Sequence, residues 1–331
     1  MNLDDVCKGT RYRGDMRLPR FFLPIAAFII AAAVWLGYRS AQPSPVVPPP
    51  AQRNIPLESI TYHGPALWRI HDADTVIYLF GTFHMLPPGS EDRWFKGPLR
   101  QAFDGSDTLV TEIITPANPM ELAPATIALA TDVDGPALTA KLPPAVRQDY
   151  KNFVEAQDLR PQSLDRFEPW YVASLLATTR YRKAGFDPRS GAERVLIASL
   201  GSKKHEALET PQAQLSMLDS VPENEQIDSL IQLVTSKSDV RASIAAMSGQ
   251  WMNGNAEGLA ASKNVALYKM EGMSRIMLFD RNRRWAAWLA KRLQTSGTVF
   301  VAVGASHLAG PRSVQHFLGT DHGIAAERVP N

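Results

Sequence analysis

Apolar positions along this chain follow three patterns, and each predicts a different element. Short apolar runs bounded by Gly, Asp or Asn predict strands. "PALWRIH" and "TVIYLFGTFH", residues 65–71 and 75–84, form an antiparallel pair across a turn at His71-Asp-Ala-Asp74. Further strands are expected at residues 107–113 ("DTLVTEI"), 205–209 (within "KKHEALET") and 298–303 ("TVFVAV"), with an edge strand at 324–329. Apolar residues at a period of 3.6 predict helices over 92–103, with a break at Gly97-Pro98, and over 144–159, 168–185 and 192–201. A helical tract then runs to about residue 264, and residues 273–297 read as one long amphipathic helix stopped by Gly297. Residues 310–323 read as a closing helix. The third pattern is continuous: residues 21–38 are apolar around the whole helical circumference.

Strand, helix and strand within about 35 residues is the size of a right-handed crossover unit with a parallel pair. The expected class is therefore α/β. Its core is a central mixed, mostly parallel sheet from two pseudo-symmetric halves, with a helical insertion at about 116–184 and a single N-terminal transmembrane helix. The insertion has the least motif content, so substrate choice is expected to lie there.

The 18-residue run would give about 27 Å of helix, close to the roughly 30 Å hydrocarbon core of a bilayer. Six basic and three acidic residues up to residue 41 leave the N-terminus in the cytoplasm under the positive-inside rule. The expected order is a cytoplasmic tail at 1–20, a membrane anchor or cleaved signal peptide at 21–38, and a linker at 39–58. Residues 59–331 form the extracytoplasmic, periplasmic domain. The spacer at 42–56 has six prolines in its 15 residues, which makes it a semi-rigid tether. Cys7, the single cysteine, falls in the tail, so the exported part has no disulfide framework. Basic charge is concentrated in the anchor flank, which removes nucleic acid from the expected partners.

Four strands end in polar residues: His84, Glu112, Glu209 and His307. In open α/β sheets, groups just past the carboxyl ends of strands face one crevice, so two imidazoles and two carboxylates are expected to converge. His84 and His307 each close a Gly-x-x-His, from Gly81 and Gly304, where glycine allows a tight turn or close backbone approach. Imidazole and carboxylate suit a divalent ion such as Zn, Mn or Co, which would activate water and polarise a carbonyl. A carboxylate outside the metal shell, Glu112 or Glu209, would take the proton, and Arg281 would steady an oxyanion or bind a substrate carboxylate. Each residue has a plainer reading: a hydrogen-bonded histidine after a strand, a carboxylate at a helix start, a solvated "RNRR" face. Trp170 and Tyr171 are expected in the core. His63, His71, His205, His316 and His322 are expected to be structural or at the surface. No His-Glu-x-x-His, P-loop or Gly-x-Gly-x-x-Gly occurs, and Ser306 lacks a nucleophile elbow.

The paired "GTFH" and "GASH", the "LVTEI" strand, the "ALETPQAQL" segment and "RNRRWAAWL" resemble the TraB/GumN family, which is related to the TIKI proteases. The resemblance covers roughly residues 59–329. It implies a membrane-associated or secreted domain with a metal-dependent, protease-like site. Carried onto this chain, it makes His84, His307 and Glu112 metal ligands and Glu112, Glu209, Arg281 and Asn282 catalytic. Gln214, Gly81 and Gly304 would line the substrate. Two function classes stand open. One is a membrane-anchored, metal-dependent hydrolase acting on a peptide or protein. The other is a non-catalytic protein that sequesters a peptide or haem on the same scaffold. A metal-free variant of the first would use one histidine as base and the glutamates as orienters.

Overall fold

A computed structural model describes residues 64–330, apart from 88, 188 and 189. The expected N-terminal tail, the anchor, the whole linker and the first five residues of the expected domain lie outside the described residues. Among the described residues, no helix is long and apolar enough to cross a membrane.

Six strands form one mixed sheet: β1 (Leu67–His71), β2 (Thr75–Thr82), β3 (Thr108–Thr111), β4 (Lys204–Ala207), β5 (Gly297–Gly304) and β6 (Glu327–Arg328). Their order is β4-β3-β5-β2-β1-β6. The first four run parallel, and β1 and β6 complete one edge antiparallel. The β1–β2 turn falls at the expected place, where Asp72 Oδ1 accepts from the backbone N–H of Asp74 and Thr75. The strand expected at 205–209 is shifted: β4 ends at Ala207. Its ladder nevertheless continues, because Leu208 and Glu209 donate to the carbonyls of Thr111 and Glu112.

Strand periodicity sorts the apolar side chains onto two faces. Ile77 and Leu79 of β2, Val110 of β3 and Val299, Val301 and Val303 of β5 meet the helices Asp280–Arg292 and Val314–His322. Leu109, Phe80, Phe300 and Ala302 point the other way, into the larger core. There Phe300 lies 5.7 Å from Phe80 and 5.4 Å from Phe103, ring centre to ring centre, and Trp94 stacks on Phe80 at 5.9 Å.

The insertion is helical as expected, with helices at Ala123–Ala130, Leu138–Lys141, Arg147–Glu155 and Pro169–Lys183. It shares its core with later helices. Pro169–Lys183 packs on the later helix Glu223–Val234, and the backbone N–H of Trp170 donates to Gln226 Oε1 at 3.1 Å. Trp170 and Tyr171 are buried in that shared core. The helix expected over 273–297 is broken. Glu271–Ser274 gives way to a wide π turn at Arg275–Phe279 before Asp280–Arg292 resumes. Such turns insert one residue into the helical spiral and are frequent at functional sites.

Phe300→Ala should lower the unfolding free energy by about 3–5 kcal/mol, the usual cost of deleting a fully buried aromatic ring. Urea denaturation measures this directly, and a loss below about 1 kcal/mol would contradict its central place in the packing.

Candidate functional site

The parallel register places the two Gly-x-x-His turns side by side, with Thr82 opposite Gly304. A Cβ built on Gly304 would lie 3.0 Å from His84 Nε2, 3.2 Å from Glu112 Oε1 and 3.5 Å from His307 Cδ2. Both imidazoles and one carboxylate therefore converge on a single backbone position. Gly81 does different work. A Cβ there would meet the Ala305 Cα at 3.0 Å, and its carbonyl accepts from Trp251 Nε1, so it permits close packing and does not line the convergence point.

At the centre is Arg281, completely buried two residues past the π segment. Its Nε donates to Glu209 at 3.0 and 3.1 Å. Its Nη2 donates to Glu209 Oε2 at 2.8 Å and to Glu112 Oε2 at 2.6 Å. Its Nη1 donates to the Met277 carbonyl at 3.2 Å and to His307 Nε2 at 3.3 Å. A guanidinium has five N–H donors, and all five are engaged. Burial alone would lower the Arg281 pKa, but Glu112 and Glu209 carry it above its ordinary value.

Glu112 is saturated in turn. Its Oε1 accepts from the Gly304 N–H at 2.7 Å, and its Oε2 from Gln214 Nε2 at 3.1 Å as well as from Arg281. Burial alone would raise its pKa, yet Arg281, His307, His84 and the Gly304 N–H outweigh it and hold the carboxyl far below the usual range. Thr210 caps the helix Pro211–Asp219, which brings the buried Gln214 to Glu112. "ETPQ" is thus both a helix start and part of the site. Arg284 Nη2 approaches Glu209 from the outside at 3.5 Å.

The tautomer of His307 follows from its partners. A guanidinium cannot accept, so His307 Nε2 presents its lone pair to Arg281. Nδ1 then carries the proton and donates to Asn282 Oδ1 at 2.6 Å, while Asn282 Nδ2 donates to the Arg312 carbonyl at 2.7 Å. Asn282 is an orienting group. The ring also lies 4.5 Å from Trp285, which packs under the Arg281 guanidinium at 4.6 Å.

His84 has a partner that sequence reasoning missed. Its Nδ1 is paired with Glu193 Oε1, which also accepts from Thr82 Oγ1. Burial alone would raise the Glu193 pKa, but His84 and Thr82 bring it below the ordinary value. Glu193 sits in an apolar helical pattern with no motif around it. The one available signal is the preceding Gly191, where a Cβ would fall 2.3 Å from the His84 carbonyl oxygen. His205, read as structural or superficial, lies within hydrogen-bond distance of Thr111 Oγ1, at 2.9 Å.

These contacts decide how a metal ion would fit. Of the three expected ligands, His307 gives its free lone pair to Arg281, and both Glu112 oxygens already accept hydrogen bonds. Only His84 Nε2 remains, too few donors for a divalent site. Among the described residues, no group of three or more His, Cys, Asp or Glu is disposed to hold a metal ion. The residues as arranged do not fit one, because a permanent organic cation stands among the carboxylates.

A model of the TraB/PrgY/gumN family matches residues 66–328, most of the chain and nearly all of the described residues. Among curated proteins and among solved structures, none matches.

Arg281→Met would strand two buried carboxylates, so at pH 7 it should cost about 3–5 kcal/mol of stability. The native chain's Glu112 contribution is complete above the ordinary carboxyl pKa of 4.5 and is lost as pH falls through its lower folded value. In the variant, burial is unopposed by the guanidinium, and protonation on lowering the pH relieves the stranded charge. The stability gap between the two proteins should therefore narrow from pH 7 toward pH 4.5 in urea unfolding series. A gap that widens would contradict the ion network.

Proposed function

From membership of the TraB/PrgY/gumN family, to which this chain belongs, we propose a hydrolase whose reaction centre lies over Gly304. In this reading His84 is the general base and Arg281 the built-in cation. The observation that carries it is the placement of His84 Nε2 beside Gly304 with Glu112 Oε1 at the same point. His84 Nε2 takes a proton from an attacking water, and ionised Glu112 stabilises the imidazolium that results. Gly304 leaves room for the reacting atom, since any side chain there would fill it. Gln214 and Arg281 hold Glu112 in place, and Asn282 does the same for His307.

Arg281 has no donor left for an oxyanion, which makes it the internal counter-ion of two carboxylates. The divalent ion expected at the sequence level is therefore not part of this reading. The substrate class proposed is a peptide or protein, on the family resemblance. The location proposed is the outer side of a membrane, on the apolar run at residues 21–38 and the basic flank before it. The side-by-side Gly-x-x-His turns support the expected origin of the sheet in two related halves.

One observation favours the second reading, a protein that captures a peptide or haem without turning it over. The side chains at the convergence point are all buried, and most of their polar atoms are already satisfied. A ligand would then enter by displacing the cover.

Purified full-length protein, assayed against a library of internally quenched peptides, separates the readings. Hydrolysis is expected, unaffected by EDTA. His84→Ala should reduce it by about 100- to 10,000-fold, the usual contribution of a general base. Binding without product would favour capture, and loss of activity with chelator, restored by Mn or Zn, would return a metal to the mechanism. In a second test, Gly304→Ala should abolish turnover while the protein still folds, at a cost of about 1–3 kcal/mol for the overpacked methyl. Its backbone, at φ −52 and ψ 134, suits alanine, so the new methyl acts on the site. A fully active Gly304→Ala would remove the reaction centre from this position.

A further inference from the structure

The two motif histidines are held differently. His307 presents Nε2 to a guanidinium and donates from Nδ1 to an amide oxygen. His84 has a carboxylate at Nδ1, and its Nε2 lies beside Gly304, the same backbone position that Glu112 Oε1 approaches. The carboxylate comes from Glu193 in the first turn of the helix Ala192–Ala198.

The start of that helix is bolted to the end of β2. The Ala192 N–H donates to the Phe83 carbonyl at 3.0 Å, and Gly191 lies so close to the His84 backbone that a Cβ would overlap its carbonyl. Glycine at 191 is what allows this approach. From there Glu193 reaches the His84 ring, and Thr82 Oγ1 donates to the same oxygen. The Thr82 and His84 side chains, both from the β2 end, thus meet one carboxylate oxygen.

An ionised carboxylate only accepts, so the proton between Glu193 and His84 belongs to Nδ1, and the lone pair is left on Nε2. We propose that Glu193 is a positioning residue that holds His84 as the Nδ1–H tautomer with its Nε2 lone pair directed at the Gly304 reaction centre. This rests on the hydrolase reading for its purpose, though the tautomer itself can be tested without a substrate. A free imidazole favours the proton on Nε2, which would leave His84 unable to accept one at Gly304. The logic is that of a base oriented by a third group.

The test is long-range ¹H–¹⁵N NMR of the full-length chain labelled at its seven histidines, with His84 assigned by the signal lost in His84→Gln. At a pH where the rings are neutral, His84 should show a protonated-type Nδ1 and an unprotonated-type Nε2. Glu193→Ala should move the signal to a mixture or to the Nε2–H form. Glu193→Gln should keep the native pattern, since its amide oxygen can still accept. In the peptide assay, Glu193→Ala should lower kcat by on the order of 10- to 100-fold at unchanged KM, with recovery in Glu193→Gln. An Nε2–H signature in the native chain, or a native signature that survives Glu193→Ala, overturns the proposal. The native spectrum decides the tautomer even where a variant fails to fold. A native Nδ1–H signature with no peptide cleaved by the wild type would uphold the positioning role and sink the hydrolase reading alone.

Discussion

The site is organised around one buried guanidinium. Removing Arg281 from water costs several kcal/mol, a debt that only close, well-directed partners offset. Two carboxylates, an imidazole lone pair and a main-chain carbonyl supply them, one for each N–H or shared between two. Because the guanidinium is planar and its donors diverge at fixed angles, these partners cannot take arbitrary positions. Glu112 from the end of β3, Glu209 beyond β4 and His307 beyond β5 are thereby held in one plane of contacts. The same fork that cancels their charge fixes the distance between three strand ends.

This geometry separates two groups that look equivalent in the sequence. Each Gly-x-x-His ends a parallel strand, and the strands are neighbours. One histidine of the pair points its Nε2 lone pair at a guanidinium. The other has a carboxylate at Nδ1 and leaves Nε2 beside Gly304. His307 is in the first situation and His84 in the second. The repeat therefore builds two differently held histidines from the same four-residue pattern, and the neighbours decide which is which.

Much of this was legible in the sequence and some was not, for physical reasons. Alternating or continuous apolar runs identified β1, β2, β3 and β5, and the polar residues ending them marked the side of the sheet where they meet. β4 was displaced because "HEALET" carries little apolar signal at an exposed edge, where burial does not constrain the residues. The break in the helix over 273–297 was invisible, since a π turn keeps helical composition and changes only the phase. Glu193 was missed because its role depends on a backbone contact at Gly191 that joins residues more than 100 apart. The metal-ligand expectation assumed that converging histidine and carboxylate must be bridged by an ion. A side chain on the same list, Arg281, supplies the positive charge.

The π turn explains how one helix can do this and still cover the sheet. An α-helix turns about 100° per residue, so an inserted residue rotates everything downstream by roughly that amount. After the turn at Arg275–Phe279, Trp285, Ala286 and Leu289 face the β-sheet, and Arg281 and Asn282 face the strand ends. Trp285, one turn along from Arg281, lies under the guanidinium and against the His307 ring. Without the insertion, this whole downstream face would be out of phase by about a quarter turn with Met273, Met277 and Leu278, which pack into the larger core. Either the core or the ion network would then be lost. The wide turn costs some helical hydrogen-bond quality, and it persists because both halves of the helix are fixed by what they pack against.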